Sequence, residues 1–544
     1  MVAEFDVLIR NGTIIDGTGG NRYKSDIGIQ GRTITSVGID IKIDSKLTVD
    51  ARGMVCSPGF IDVHSHNDMS MLFDSRLQSM IHQGVTTSVI GNCGFSLAPI
   101  TEDRIELMNQ EIKGFLPPGQ KLAPTWRSFG EYLDTLETIK LASNIAALVG
   151  FGTVRIAGGP AYENRPPTPE EIRSMKMLVG EAMQAGAFGM STGLIYAPQI
   201  YAETAEIIEL AQVVAQHGGL YFSHIRGEGE TLVEAVNEMI DIVEKSGCRG
   251  GQIAHHKVAG RAFWGLSKKT LNIIAEANER GLGIACDQYP YNRGATSLIT
   301  VLPPWVHEGG LEATLDRIRD SEVKQQIVSD IESGINGWEN IIREASWDGV
   351  YISFAKSKKW ADIEGLSLTD IAKAKGYKVP FDMLFELILD EKGEASMTIE
   401  SMGEEDIRRI MQSPYTMIGS DGTGVSPSGV MSFGKPHPRY YGTYPRILGK
   451  YVREEGVLSL EDAIWKMSGF PAKQMGLTER GLIREGMIAD IVVFDPETVM
   501  DKATFMNPHQ FPEGIHHVFV NGKQVITDGQ QSEHLPGVIL RHGA

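Results

Sequence analysis

The chain has 544 residues, 42% of them hydrophobic and 22% charged, with a formal net charge of −18 at pH 7. That length exceeds one ordinary domain but suits an α/β barrel with additions, and the composition is that of a globular protein. The negative charge argues against nucleic acid and anionic membranes, both of which would repel it.

The first 50 residues alternate apolar and polar around Asn11-Gly12 and Gly17-Thr18-Gly19-Gly20, a hairpin pattern. Near the other end, Ala489-Asp490-Ile491-Val492-Val493-Phe494-Asp495 and His517-Val518-Phe519-Val520-Asn521-Gly522-Lys523 behave alike. Residues 1–55 and 478–544 are therefore expected to form one small β-sandwich domain from both termini. Met1-Val2-Ala3-Glu4-Phe5-Asp6 has no basic region followed by an apolar run, and no uncharged apolar stretch reaches about 18 residues. Cys56, Cys93, Cys248 and Cys286 are scattered without a C-x-x-C pair, which suits a reducing compartment. A cytoplasmic protein is expected, neither membrane-bound nor nucleic-acid-bound, and its oligomeric state is unreadable.

Residues 56–477 alternate strand and helix, the pattern of a parallel sheet wrapped by crossover helices. Eight short apolar strands are predicted at 60–64, 86–91, 145–150, 188–191, 220–224, 251–255, 283–287 and 416–420. Amphipathic helices are predicted between them, including 169–185, 204–216, 231–246 and 267–280. Strands buried on both faces are what a closed (β/α)₈ TIM-like barrel requires. The gap before the eighth strand, about 298–414, is too long for one crossover and predicts an inserted, mainly helical subdomain. It is either decoration or a wall of the active site.

Chemistry gathers at the predicted strand ends. Pro58-Gly59-Phe60-Ile61-Asp62-Val63-His64-Ser65-His66 delivers two histidines two residues apart, hence on one side of a strand. Further on come Cys93, His224, the run His255-His256-Lys257, and Asp421. Imidazole, thiolate and carboxylate donors together suit zinc best. If His255 points to the barrel axis, Lys257 shares its side and His256 takes the other.

These stretches resemble the amidohydrolase superfamily and, within it, the N-acyl-D-amino-acid deacylases (D-aminoacylases). The resemblance is carried by residues 57–66, Gly91-Asn92-Cys93-Gly94, Ser191-Thr192-Gly193-Leu194-Ile195-Tyr196, His224-Ile225-Arg226, His255-His256-Lys257, Asp287-Gln288-Tyr289-Pro290-Tyr291, Ser420-Asp421-Gly422, His437-Pro438-Arg439 and Gly486-Met487-Ile488-Ala489-Asp490. It implies a tight zinc site of Cys93, His224 and His255. A second site of His64, His66 and Asp421 is available, with Cys93 able to bridge. Relatives that bridge two metals with a carbamylated lysine carry it on the fourth strand, where this chain reads Met190-Ser191-Thr192-Gly193.

The implied reaction is zinc-dependent hydrolysis of the linear amide of a small-molecule N-acyl-D-amino acid, giving a carboxylate and a free D-amino acid. Asp421 would accept the proton of water and hand it to the leaving amine. The resemblance places Lys257, Tyr289, Arg439 and Tyr196 near the substrate, with Arg439 and Lys257 holding its carboxylate. The alternatives are a cyclic-amide hydrolase (hydantoinase- or dihydroorotase-like) or a deaminase on the same barrel. A catalytically silent scaffold would be expected to lose ligands, and none is missing. Two departures bear on the pocket: Ala295 stands where relatives place a serine, with Thr296 next to it, and the 421–439 loop is longer.

Overall fold

A computed structural model describes residues 4–113 and 116–543. Eight short strands form where the alternation puts them: Phe60–Asp62, Val85–Ile90, Asn144–Ala147 continued by Val149–Gly150, Gly189–Gly193, Leu220–His224, Gly251–Ile253, Ile284–Gln288 and Thr416–Ile418. Neighbours pair in parallel around the ring. The ring closes between its first and last members, where Asp421 N–H donates to His64 O at 2.8 Å and His66 N–H to Gly422 O at 2.7 Å. Every residue of these strands is buried, because helices cover the outer face and side chains fill the inner one.

The helices Pro169–Gln184, Thr204–Gln216, Leu232–Ser246 and Ser267–Glu279 match the predicted amphipathic segments to within a residue. The first shows how local chemistry sets a boundary. Thr168 Oγ1 accepts the Glu171 N–H at 3.2 Å while Glu171 accepts the Thr168 N–H at 2.7 Å, with Pro169 opening the helix. Such a reciprocal cap contributes on the order of 1 kcal/mol.

The β-rich ends meet where Val55–Pro58 pairs antiparallel with Ile491–Phe494. Nine strands form one hydrogen-bonded sheet, and residues from both halves, among them Ile9, Ile27, Val493 and Phe519, share a separate core. The chain does not end there. Ile539–Leu540 returns to the barrel and pairs with Ile145 and Ala146, at the base of the third strand.

The long segment before the eighth strand contains five helices, Leu311–Arg317, Ser321–Ser333, Ile341–Ala345, Leu368–Lys375 and Pro380–Asp390. It also contains a three-stranded antiparallel sheet, Arg293–Ser297, Ser396–Glu400 and Val350–Phe354, with Ser396–Glu400 central. The sequence reading missed that sheet, since its five-residue strands lie far apart in the chain and no hairpin turn joins them. Trp360, Leu384 and Met397 belong to a core independent of the barrel's. Helix Glu404–Gln412 packs on Ser267–Glu279 and on the eighth strand, so it belongs to the barrel. Among the described residues no helix is long and apolar enough to cross a membrane.

Candidate active site

All six predicted metal ligands converge at the C-terminal mouth of the barrel. Their ligand atoms form three overlapping groups, His64/His66/Cys93, Cys93/His224/His255 and His64/His255/Asp421, each within 4.8 Å. Cys93 Sγ lies 3.4 Å from His64 Nε2 and 3.7 Å from His255 Nε2, while Asp421 Oδ1 lies 3.1 Å from His66 Nε2. His256 takes the other side and meets Thr270 Oγ1 at 2.9 Å, away from the cluster.

The strands do not simply run into these positions. Cys93, His255 and Asp421 all adopt left-handed backbone, with φ of 52°, 35° and 48°. Strain of roughly 1–3 kcal/mol per such residue persists only where the surroundings over-determine it. Here they do: Asp287 Oδ1 accepts the His255 N–H at 2.9 Å, and His64 O accepts the Asp421 N–H. Before Cys93 the chain passes so close to the third strand that a Cβ at Gly91 would fall 2.0 Å from Leu148 O.

The donor set fits a metal ion on its own terms. Both ring nitrogens of His224 are buried with no hydrogen-bond partner among the described residues. An unsatisfied buried polar group costs about 1–3 kcal/mol, which a bound cation removes. Burial pushes the Cys93 thiol up, but His64, His224 and His255 outweigh it and hold it well below the ordinary thiol range, as a ligating thiolate requires. The fourth strand, Gly189–Gly193, offers no lysine to bridge two ions.

The other predicted residues line the same cavity, of about 460 Å³. Arg439 Cζ sits 4.5 Å from the Tyr289 ring centre and Lys257 Nζ 5.8 Å from it. Arg439 Nη1 lies 2.9 Å from Asp421 Oδ2. Burial would raise Asp421, but Arg439 and the neighbouring imidazoles hold it well below the usual carboxylate range. Tyr196 packs edge-on against His224 and accepts a hydrogen bond from Thr296 Oγ1 at 3.2 Å, so the residue beside Ala295 does reach the pocket. Ile299, Phe354, Met397 and Ile399 of the inserted segment also line the cavity, which makes that segment a wall.

The sequence reading gave no role to two carboxylates here. Asp287 faces His64 Nδ1 at 3.2 Å and accepts from Gln252 Nε2 at 2.5 Å. Its signal was a charge closing the predicted strand 283–287, which is otherwise apolar. Glu228 lies 3.0 Å from His255 Nδ1, and nothing in its loop sequence distinguishes it from a solvated acid.

Residues 47–526 match the Amidohydrolase family. The chain belongs to that family. It is 36% identical to a D-aminoacylase of Alcaligenes xylosoxydans xylosoxydans over 96% of this chain and 94% of that one. It is 34% identical to an N-acyl-D-glutamate deacylase of the same organism, covering 100% and 98%. Among solved structures it is similar to N-acyl-D-glutamate deacylase from Bordetella bronchiseptica, complexed with zinc and a phosphonate mimic of the reaction's tetrahedral intermediate. The TM-score is 0.81 and the identity 32%, over 99% of this chain and 100% of that chain. The amidohydrolase TIM-barrel fold is thus shared along the whole chain.

Proposed function

We propose that this amidohydrolase is a zinc-dependent N-acyl-D-amino-acid deacylase, cleaving the amide to a carboxylate and a free D-amino acid. The observation that carries the reading is the convergence of His64, His66, Cys93, His224, His255 and Asp421 in one cluster, all but His64 lining a single cavity beside two cations that suit a carboxylate. The full-length similarity to enzymes of that class supports it. Cys93, His224 and His255 would hold zinc most tightly, with His64, His66 and Asp421 offering a second position. Zinc, when bound, supplies Lewis acidity toward a scissile carbonyl and lowers the pKa of water.

The chain's own groups do the rest. Asp421, ionised beside Arg439, takes the proton of the attacking water and returns it to the leaving amine. Arg439 and Lys257 bind the substrate carboxylate, and the Tyr289 and Tyr196 hydroxyls complete its hydrogen bonding. The substrate is a small molecule that fills a largely walled cavity. The cytoplasm is the proposed compartment, supported by four cysteines that are all buried and unpaired.

The test is a screen of N-acetyl-D- and N-acetyl-L-amino acids and a hydantoin with zinc-loaded protein. Turnover confined to the D series supports the reading. Hydantoin opening at a rate comparable to N-acetyl-D-methionine cleavage would overturn it in favour of a cyclic-amide hydrolase.

A further inference from the structure

Glu228 stands where the two halves of the site touch. It follows the fifth strand by four residues and is 6% exposed. Its Oε1 lies 3.0 Å from His255 Nδ1 and 2.5 Å from Lys257 Nζ, and Nζ is itself 2.8 Å from His255 Nδ1. The Lys257 ammonium can donate to Nδ1 directly when that nitrogen carries no proton. A cation taken at Nε2 requires the other tautomer, with the proton on Nδ1, and Glu228 Oε1 is then the acceptor within reach of both groups.

We propose that Glu228 is a positioning residue that couples the metal centre to the substrate-carboxylate clamp. It keeps the proton of His255 on Nδ1, leaving Nε2 free toward Cys93 Sγ, and it balances the Lys257 ammonium so that this charge can stay beside a cationic centre. The inference rests on the deacylase reading and goes beyond it by assigning a linkage between the two subsites.

The surroundings hold Glu228 in that position from both sides. Its backbone N–H donates to Glu339 Oε2 of the inserted segment at 2.8 Å, and its carbonyl accepts the Ala259 N–H at 2.8 Å. Asp287 provides an internal contrast. It faces His64 Nδ1 as Glu228 faces His255 Nδ1, yet its other side-chain partners are Gln252 Nε2 and the His255 N–H, with no cation between. Orienting an imidazole needs only a carboxylate. Glu228 does that and also lies against a buried ammonium, that of Lys257.

The experiment measures zinc retention against a chelator in wild type, Glu228→Gln, Lys257→Met and the double variant. Thermal midpoints of the zinc-free proteins serve as the folding control. Glu228→Gln is expected to weaken zinc retention by about 10- to 100-fold. The double variant recovers most of that loss, because removing the ammonium removes the unbalanced charge. At saturating zinc, Glu228→Gln raises KM for N-acetyl-D-methionine about tenfold and leaves kcat within about threefold, since Asp421 is untouched. Wild-type zinc retention in Glu228→Gln overturns the coupling while leaving the deacylase reading intact. So does a double variant no tighter than Glu228→Gln, which would mark the loss as general disruption. A wild-type protein that takes up no zinc overturns the reading of the centre and this inference with it.

Discussion

The rim of the barrel and the wall built by residues 293–400 face each other across one cavity but are made differently. The rim carries the cluster able to hold a metal: six side chains come from the ends of the first, second, fifth, sixth and eighth strands, three of them on left-handed backbone. The wall has its own core and, among the described residues, contributes nothing to that cluster. What it presents to the cavity includes apolar side chains, Ile299, Phe354 and Ile399, together with the charged Glu339, Glu344 and Lys356. A barrel can therefore keep its chemistry while an independently folded insert reshapes what enters. The proposed function divides accordingly, with reactivity assigned to the rim and side-chain selectivity to the wall.

The strongest challenge to that division lies at Asp421. Asp421→Asn removes the proton carrier and should lower kcat by about 10³-fold or more. Zinc at Cys93, His224 and His255 should remain, measurable by metal analysis of the purified variant. Turnover near the wild-type rate would take Asp421 out of its role.

Next comes Arg439, which lines the cavity beside Asp421 and is proposed to bind the substrate carboxylate. Arg439→Ala should raise KM for N-acyl-D-amino acids by about 10- to 100-fold, the weight of a charge-assisted pair. The corresponding substrate amide, lacking the free carboxylate, should lose far less. Equal losses on both would mean that Arg439 acts by holding Asp421 instead.

A smaller effect is expected at the wall. Phe354→Ala should change the ratio of kcat/KM between large and small D-side chains by about tenfold, in line with 1–3 kcal/mol for apolar complementarity. It should leave kcat on N-acetyl-D-alanine nearly unchanged. A uniform fall in kcat for every substrate would mean that wall and rim are not separable.

The smallest effect lies outside both regions. Arg165, then the Thr168 N–H, hold Glu171 at a pKa of about 2, against partial burial and below the ordinary 4.5. A depressed acid stabilises the fold above the unfolded pKa and loses that contribution as pH falls from about 4.5 toward 2. The thermal midpoint of wild type should exceed that of Glu171→Gln slightly at pH 7, and the gap should shrink by pH 3.5. Glu171→Gln should retain full activity at pH 7.

Much of this protein is legible along the chain. Each barrel strand is a short apolar run, and each ligand sits just past one, so strand position and residue type together name His64, His66, Cys93, His224, His255 and Asp421. The family resemblance, not strand position, places Tyr289 and Lys257, and the parity expected of the predicted strand 251–255 puts His255 and His256 on opposite sides, as the structure does although the strand itself ends at Ile253. The β-rich ends announce themselves by hairpin turns. Ser396–Glu400 and Val350–Phe354 do not, because their pairing spans tens of residues without a turn to mark it. Glu228 does not either, because an acid in a Gly-rich loop looks solvated until its neighbours are known.

What the sequence determined alone was local: where apolar periodicity starts and stops, which residues cap helices, and which donor types end up at strand termini. What only the tertiary structure decided was relational. That an inserted sheet walls the cavity, that the C-terminal segment returns to the third strand, and that one carboxylate oxygen lies within 3.0 Å of both His255 Nδ1 and Lys257 Nζ all depend on contacts between residues far apart in sequence. Such contacts leave no period in the chain, since each is a single meeting in space rather than a repeated local preference.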